Sequence, residues 1–132
     1  MFTTAYTIGI IGTAIAERLL AAGFRVLAWD CDAARLDESG AERAVARCCG
    51  CLVLSLPNSR AVGSVLDEIN SVLLEGSVIL DMSTGEPADA KTFAESLGKR
   101  DVAFLDATIS GSSEQVRRGV ALCMVGGAEA AY

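Results

Sequence analysis

Tyr6–Phe24 reads YTIGIIGTAIAERLLAAGF. Thr7–Ile11 is short, β-branched and apolar, as a strand buried on both faces of a parallel sheet should be. From Thr13 the period changes. Ile15, Leu19 and Ala22 share one helical face with Ala16 and Leu20 beside it, while Glu17 and Arg18 point away. Gly23 supplies a residue that tolerates the left-handed conformation ending a helix. A second strand, Arg25–Trp29, ends at Asp30. Strand, glycine, helix and acid-terminated strand form the outline of a dinucleotide-binding βαβ unit.

The outline is incomplete. The dinucleotide fingerprint is G-x-G-x-x-G, whose glycines make the turn, admit the pyrophosphate and let helix and strand pack closely. Counted from Gly12 those positions are Gly12, Ala14 and Glu17, so only the first is glycine. A carboxylate at the third would sit where the helix meets the strand. This predicts a shortened glycine turn in which Gly12 is either the first or the last glycine. Taken alone, an ordinary strand-to-helix turn explains it equally well.

Composition narrows the classes. The chain has 132 residues, the size of one domain, and 52% are hydrophobic, ample for one core. A net charge of −6, with eleven basic residues scattered along the chain, argues against nucleic acid and anionic membranes. The uncharged run Met1–Ala16 is shorter than the ~20 residues of a membrane span. It also lacks the basic start and cleavage site of a signal peptide. A soluble cytoplasmic protein is expected. Five cysteines, an odd number, read as reduced thiols. Cys48-Cys49-Gly50-Cys51 has no second pair at a zinc spacing, and the chain has no histidine, so no metal is expected. The missing histidine also removes the usual general base and any Ser-His or Cys-His nucleophile.

The rest of the chain alternates. Helices are expected at Ala33–Ser39, with Asp32 as cap, and at Ala41–Cys48. Leu52–Leu56 is a strand closed by Pro57. Arg60–Leu74 is the clearest helix, with Val62, Val65, Leu66, Ile69, Val72 and Leu73 in helical spacing and Asn58 or Ser59 as cap. Val78–Asp81 is a strand. The loop from Ser83 feeds a helix from about Ala88 to Leu97, with Pro87 at its first position. Ala103–Asp106 is a strand, Ser110–Gly119 a loop, and Val120–Val125 a last strand. Gly126-Gly127 then opens a helix. Alternation of this kind gives an α/β, doubly wound, mostly parallel sheet of the Rossmann type. Ligands bind such sheets outside the carboxyl ends of the strands. Those ends hold Gly12, Asp30, Leu56–Asn58, Ser83–Thr84 and Thr108–Gly111.

The same strand ends resemble the nucleotide-binding domain of the β-hydroxyacid dehydrogenase family. IGIIG followed by AERLLAAGF resembles the family's first strand and helix. LSLPNSRAV resembles its leucine-proline strand end, and ILDMSTGEP its D-x-S-T-x-x-P. FLDATISGSSEQVRRG followed by MVGG resembles its F-L-D-A-P-V-S-G-G and the strand after it. The resemblance covers nearly the whole chain, so residues 1–132 are expected to form one NAD(P)-binding domain.

The resemblance implies roles. Gly12 lies under the pyrophosphate. Asp30, eighteen residues on, bonds the adenosine ribose and favours NAD over NADP, because a 2′-phosphate would meet a carboxylate. Leu56 and Pro57 line the cofactor cleft, and Thr84 sits by the nicotinamide ribose. Ser110, Gly111 and Ser112 hold a substrate carboxylate. The implied reaction is reversible hydride transfer between a nicotinamide and a small β-hydroxy acid. Each role has a plainer rival: Asp30 as a solvated strand end, Pro57 as a strand terminator, Ser83 and Thr84 as helix caps, Ser110–Ser113 as a turn.

Three departures qualify the resemblance. The glycine turn is short, and so is the interval Gly40–Cys51, which puts an edge strand in doubt. The sequence also ends where the family's helical second domain, carrying its catalytic lysine, begins. Lys91 and Lys99, the chain's only lysines, do not match that lysine's motif. No catalytic residue is therefore expected in this chain, and no turnover by it alone. The rival is a non-catalytic nucleotide-binding or assembly protein. Leu122–Val125 and Ala128–Tyr132 would present apolar surface on which a homodimer could form.

Overall fold

The computed structural model describes residues 2–7, 10–29 and 46–131. They form a six-stranded sheet in the order β2-β1-β3-β4-β5-β6. The strands are β1 (Phe2–Thr7), β2 (Arg25–Trp29), β3 (Cys51–Ser55), β4 (Val78–Asp81), β5 (Ala103–Ser110) and β6 (Leu122–Gly126). The first five run parallel, and β6 lies antiparallel to β5. The helices are α1 (Ile10–Ala21), α2 (Ser59–Ile69), α3 (Pro87–Gly98) and α4 (Ser113–Arg118). The chain leaves β1 toward β2 on one side and returns to β3 on the other, so the strand order reverses between β1 and β3.

Two buried layers hold the helices to the sheet. On one face Leu52, Leu54, Ile79 and Phe104 meet Val62 and Ile69 of α2 and Leu97 of α3. Phe93 of α3 stands edge-on to Phe104, with ring centroids 5.8 Å apart at 61°. On the other face Val53 meets Ala14 and Ile15 of α1 and Val116 of α4. These are the two covered faces of a doubly wound sheet.

Several boundaries differ from the sequence reading. The first strand is Phe2–Thr7 rather than Thr7–Ile11, and Ile10 and Ile11 are already helical. A short apolar run such as Ile8–Ile11 suits a buried strand and a buried helix start equally. The better strand signal lies upstream, in the aromatic and β-branched FTTAYT. α1 stops as expected, at Gly23 with φ +85°. α2 ends at Ile69 and tightens into a 3-10 turn over Asn70–Val72. β5 runs four residues past Asp106, because its first half pairs with β4 and its second half with β6. Ser110–Gly119, read as a loop, contains α4. The last strand is Leu122–Gly126, and the helix expected after Gly127 is a 3-10 turn over Glu129–Ala131. β6 lies on the edge with Leu122 63% exposed and Met124 51%. The helix expected at Ala33–Ser39 and any edge strand between Gly40 and Val45 lie outside the described residues; 46–48 are helical.

Candidate functional site

Two residues separate the last of β1, Thr7, from the first of α1, Ile10. That spacing sets the frame of the glycine motif. Gly12 is the third residue of α1 and is buried, a place that suits the last glycine of the motif rather than the first. The frame is then Thr7-x-Gly9-x-x-Gly12. In that frame no fingerprint position is missing, so the shortened turn expected from counting at Gly12 does not apply, and the one departure is threonine for the first glycine. The carboxylate counted against the motif is also placed. Glu17 is exposed and pairs with Arg117 of α4, Nε to Oε2 at 2.6 Å. Ala14 and Ile15 supply the buried side of the helix instead.

A helix starting this close to a strand end offers its first free N–H groups to an anion at the sheet's carboxyl edge. A buried glycine in the first turn lets that helix lie close to the sheet. These residues fit a dinucleotide diphosphate.

The next strand over contributes Leu56, Pro57 and Asn58, which follow β3. Leu56 is buried and Pro57 exposed. Asn58 caps α2, its Oδ1 accepting from the Ala61 N–H at 3.0 Å. Thr84 is exposed and lines an open polar cleft of about 380 Å³ with Asn58, Ser59, Arg60, Gly85 and Glu86. Ser59 Oγ accepts from the Glu86 N–H at 2.9 Å and ties the starts of α2 and α3 together.

Ser83 and Thr84 do not cap α3. The N-cap is Glu86, without a side-chain bond, and Pro87 takes the first helical position as expected. Ser83 faces inward at 4% exposure. Its Oγ accepts from the Leu56 N–H at 2.9 Å, and its own N–H donates to Asp81 Oδ1 at 3.0 Å. Thr108 Oγ1 lies 2.8 Å from Asp106 Oδ1 and 3.3 Å from the Ser83 carbonyl oxygen, one hydroxyl hydrogen between two acceptors.

Asp81 and Asp106 are register partners on β4 and β5. Burial pushes the Asp81 carboxyl above its ordinary value and Asp106 adds to the rise, while the hydrogen bonds from Ser83 oppose it. The folded protein thus holds the Asp81 proton more tightly than the unfolded chain. The stabilisation this gives is fully present below the unfolded pKa, about 3.9. It is lost as pH rises through the higher folded-state value. Asp81→Asn keeps an oxygen for the Ser83 N–H and removes the ionisation. It is expected to raise the thermal midpoint at pH 7.5, with a gain that shrinks toward pH 4. A midpoint below wild type at pH 7.5 would show instead that the carboxylate charge is needed.

On the far side, Ser110 ends β5 and is exposed, as are Gly111 and Ser112. Gly111 has φ +149°, and a Cβ there would lie 3.0 Å from Ala121 Cβ and 3.3 Å from Gln115 Oε1. Glycine is required on both counts. Ser112 forms a capping box with Gln115. Its hydroxyl accepts from the Gln115 N–H, and its N–H donates to Gln115 Oε1 at 2.8 Å. What Ser112 has left for a ligand is its hydroxyl hydrogen.

The structure therefore brings Gly12, Leu56, Pro57 and Thr84 to the carboxyl edge of β1, β3 and β4, and Ser110–Ser112 to the end of β5. Asp30 lies outside the described residues, directly after the last residue of β2. Sequence reasoning missed Ser83 as a link between strands, since its partners are 27 and 25 residues away. Lys91 is exposed on α3, and Lys99 follows that helix. Among the described residues no cluster of three metal-ligating side chains occurs, and no helix is long and apolar enough to cross a membrane.

Residues 6–132 match the family model described as the NAD binding domain of 6-phosphogluconate dehydrogenase. The 2-(hydroxymethyl)glutarate dehydrogenase of Eubacterium barkeri is 29% identical over 95% of this chain and 45% of its own length. The 2-hydroxy-3-oxopropionate reductase of Escherichia coli is 31% identical over 95% of this chain and 46% of its own. A solved structure of Mycobacterium tuberculosis 3-hydroxyisobutyrate dehydrogenase with L-serine superposes with a TM-score of 0.89. At 23% identity it covers 99% of this chain and 48% of that one, and it shows the shared fold. The chain spans about half the length of the relatives it matches. The match takes in the last two residues of β1 and every element after it, and the chain belongs to this family, as an NAD(P)-binding domain of the β-hydroxyacid dehydrogenases.

Proposed function

We propose that this chain is the cofactor-binding part of an NAD-linked dehydrogenase acting on a small β-hydroxy acid. The observation that carries this is the juxtaposition at the strand ends. The buried Gly12 in the first turn of α1, the Leu56–Pro57 lip and the Thr84 cleft lie on neighbouring strands where the order reverses. When bound, the nicotinamide exchanges a hydride with the carbon that bears the substrate oxygen. The chain's own part is binding and orientation. The first N–H groups of α1 hold the diphosphate, Asp30 the adenosine ribose, and Thr84 the second ribose. Leu56 and Pro57 keep water from the reacting face. The Ser110 hydroxyl, the Gly111 N–H and the Ser112 hydroxyl hold the substrate carboxylate.

Chemistry shared by the relatives' names supports this substrate class. 3-Hydroxyisobutyrate, 2-(hydroxymethyl)glutarate and L-serine each carry a hydroxyl β to a carboxylate, and 2-hydroxy-3-oxopropionate carries an aldehyde there. The proton on that oxygen needs a donor or acceptor near neutrality. The Thr84 cleft is lined by Arg60 as its cation and by no lysine. On this reading these residues bind cofactor without turning substrate over, and the family's lysine domain completes the reaction. A non-catalytic nucleotide-binding protein is the second reading. Thr7 in place of the first motif glycine favours it, since the fingerprint calls for glycine where the turn is tightest.

The test is a titration with NADH and, separately, NADPH, following emission of Trp29, the sole tryptophan, which precedes Asp30. Saturable NADH binding with NADPH at least about tenfold weaker is expected, because one unpaired like-charge contact costs on the order of 1.4 kcal/mol or more. Equal affinity would remove Asp30 as the selector. Binding of neither by the folded protein would remove the cofactor assignment.

A further inference from the structure

We propose that Ser83, which touches no ligand on the reading above, is the positioning residue of the cofactor cleft: it sets the spacing between the Leu56–Pro57 lip and Thr84. The proposal rests on the dehydrogenase reading.

A parallel sheet holds its strands together only as far as its ladder extends. Between β3 and β4 the last backbone rung is the Met82 N–H to the Leu54 carbonyl at 2.8 Å. Beyond it the lips of the cleft begin, and nothing in the backbone pattern ties them. Ser83 continues the ladder with its side chain. Leu56, buried at 5% exposure, has an N–H that needs an acceptor, and Ser83 Oγ supplies it at 2.9 Å. The other two polar groups of Ser83 go elsewhere. Its N–H is held by Asp81 of β4 at 3.0 Å, and its carbonyl lies 3.3 Å from Thr108 Oγ1 of β5. One residue thus fixes the ends of three neighbouring strands, each through a different polar group. The next residue, Thr84, lines the cleft, and the bonded partner, Leu56, lies two residues before Asn58, which lines it from the other side.

Burial makes this wiring stringent. Ser83→Ala leaves the Leu56 N–H in an apolar setting without a partner, and the cheapest relief is for the lip to move outward until water reaches it. That movement widens the nicotinamide end of the cleft. It leaves the α1 end, where the diphosphate and adenosine bind, as it was.

The experiment compares NADH with ADP, which would engage only the α1 end, on wild type and Ser83→Ala by Trp29 emission. Amide exchange of Leu56 is followed alongside. The expected result is about tenfold weaker NADH binding, ADP affinity unchanged within about twofold, and Leu56 exchange accelerated ahead of the core amides of β3. A folded Ser83→Ala protein that binds NADH as wild type does overturns the proposal. Equal loss of NADH and ADP also overturns it, since that marks general loosening. Wild type that binds neither nucleotide removes the dehydrogenase reading, and this role with it. If Ser83→Ala does not fold, Ser83→Cys keeps the side-chain length with a poor acceptor. The same NADH-to-ADP split is then expected, and its absence counts against the role.

Discussion

Replacing Gly12 with valine is expected to lower NADH affinity by about two orders of magnitude or more and to destabilise the fold by ~1–3 kcal/mol. Gly12 is buried in the first turn of α1, beside Ala14 and Ile15 in the layer they form with Val53. A valine there adds three carbons at a buried position in the first turn, and making room for them displaces the helix start. The N–H groups that would hold the diphosphate move with it, and charge-assisted bonds of this kind contribute about 1.5–3 kcal/mol each. The sign of Gly12→Ala separates this account from a plain helix. At an exposed helix position glycine to alanine stabilises by up to about 1 kcal/mol. Close packing against the sheet reverses that sign. Denaturant titration and NADH binding on both variants decide it: an alanine variant that is more stable and binds NADH normally would reduce Gly12 to an ordinary helical residue.

This glycine shows what the sequence could and could not tell. A strand end placed at Ile11 shifts the frame by five residues, from Thr7-x-Gly9-x-x-Gly12 to Gly12-x-Ala14-x-x-Glu17, and turns a near-complete fingerprint into a broken one. Ile8–Ile11 carries no alternation, so periodicity has no purchase there. Farther on, the pattern is plain. LVLSL is apolar at every position but Ser55, the near-continuous pattern both-face burial demands, Asn58 caps α2 as its type suggests, and Pro87 opens α3. The apolar signal of β5 stops at Asp106 because its second half alternates with polar side chains. Asp106 and Thr108 are polar on a strand because they belong to the bonded network at its end. α4 carries a legible signal that the loop reading overlooks, the S-x-x-Q spacing of Ser112 and Gln115. The Ser83 links have none. They join residues far apart in the chain, and only the register of β3, β4 and β5 brings them together. The site was therefore readable as positions along strand ends, through resemblance, while the bonds that fix those positions were not.

The largest stability effect is expected at Phe104. Phe104→Ala should cost ~3–5 kcal/mol, against total stabilities of about 5–15 kcal/mol for domains of this size. The ring is 5% exposed on β5, one strand in from the edge, where Phe104 is the register partner of Ile79. It fills the space between β5 and α3, edge-on to Phe93. Little can collapse into the vacancy, because Leu54, Leu97 and Val102 are already buried in the same cluster. Phe93 is only half-buried, so Phe93→Ala should cost less. The double variant should show a coupling of ~0.5–1.5 kcal/mol from the lost ring pair. Leu122→Ala, on the exposed edge strand, should stay within about 0.5 kcal/mol of wild type. Urea midpoints for wild type and the four variants measure all of this. Phe104 also lies two and four residues before Asp106 and Thr108 on the same face of β5. If α3 and β5 separate where the ring is removed, the Thr108 contact to the Ser83 carbonyl loosens as well, and NADH binding should weaken in a variant that is still folded. A Phe104→Ala protein less than about 1 kcal/mol weaker than wild type would mean that α3 is not held to the sheet by this contact, and that the cleft between α2 and α3 is set by the strand-end bonds alone.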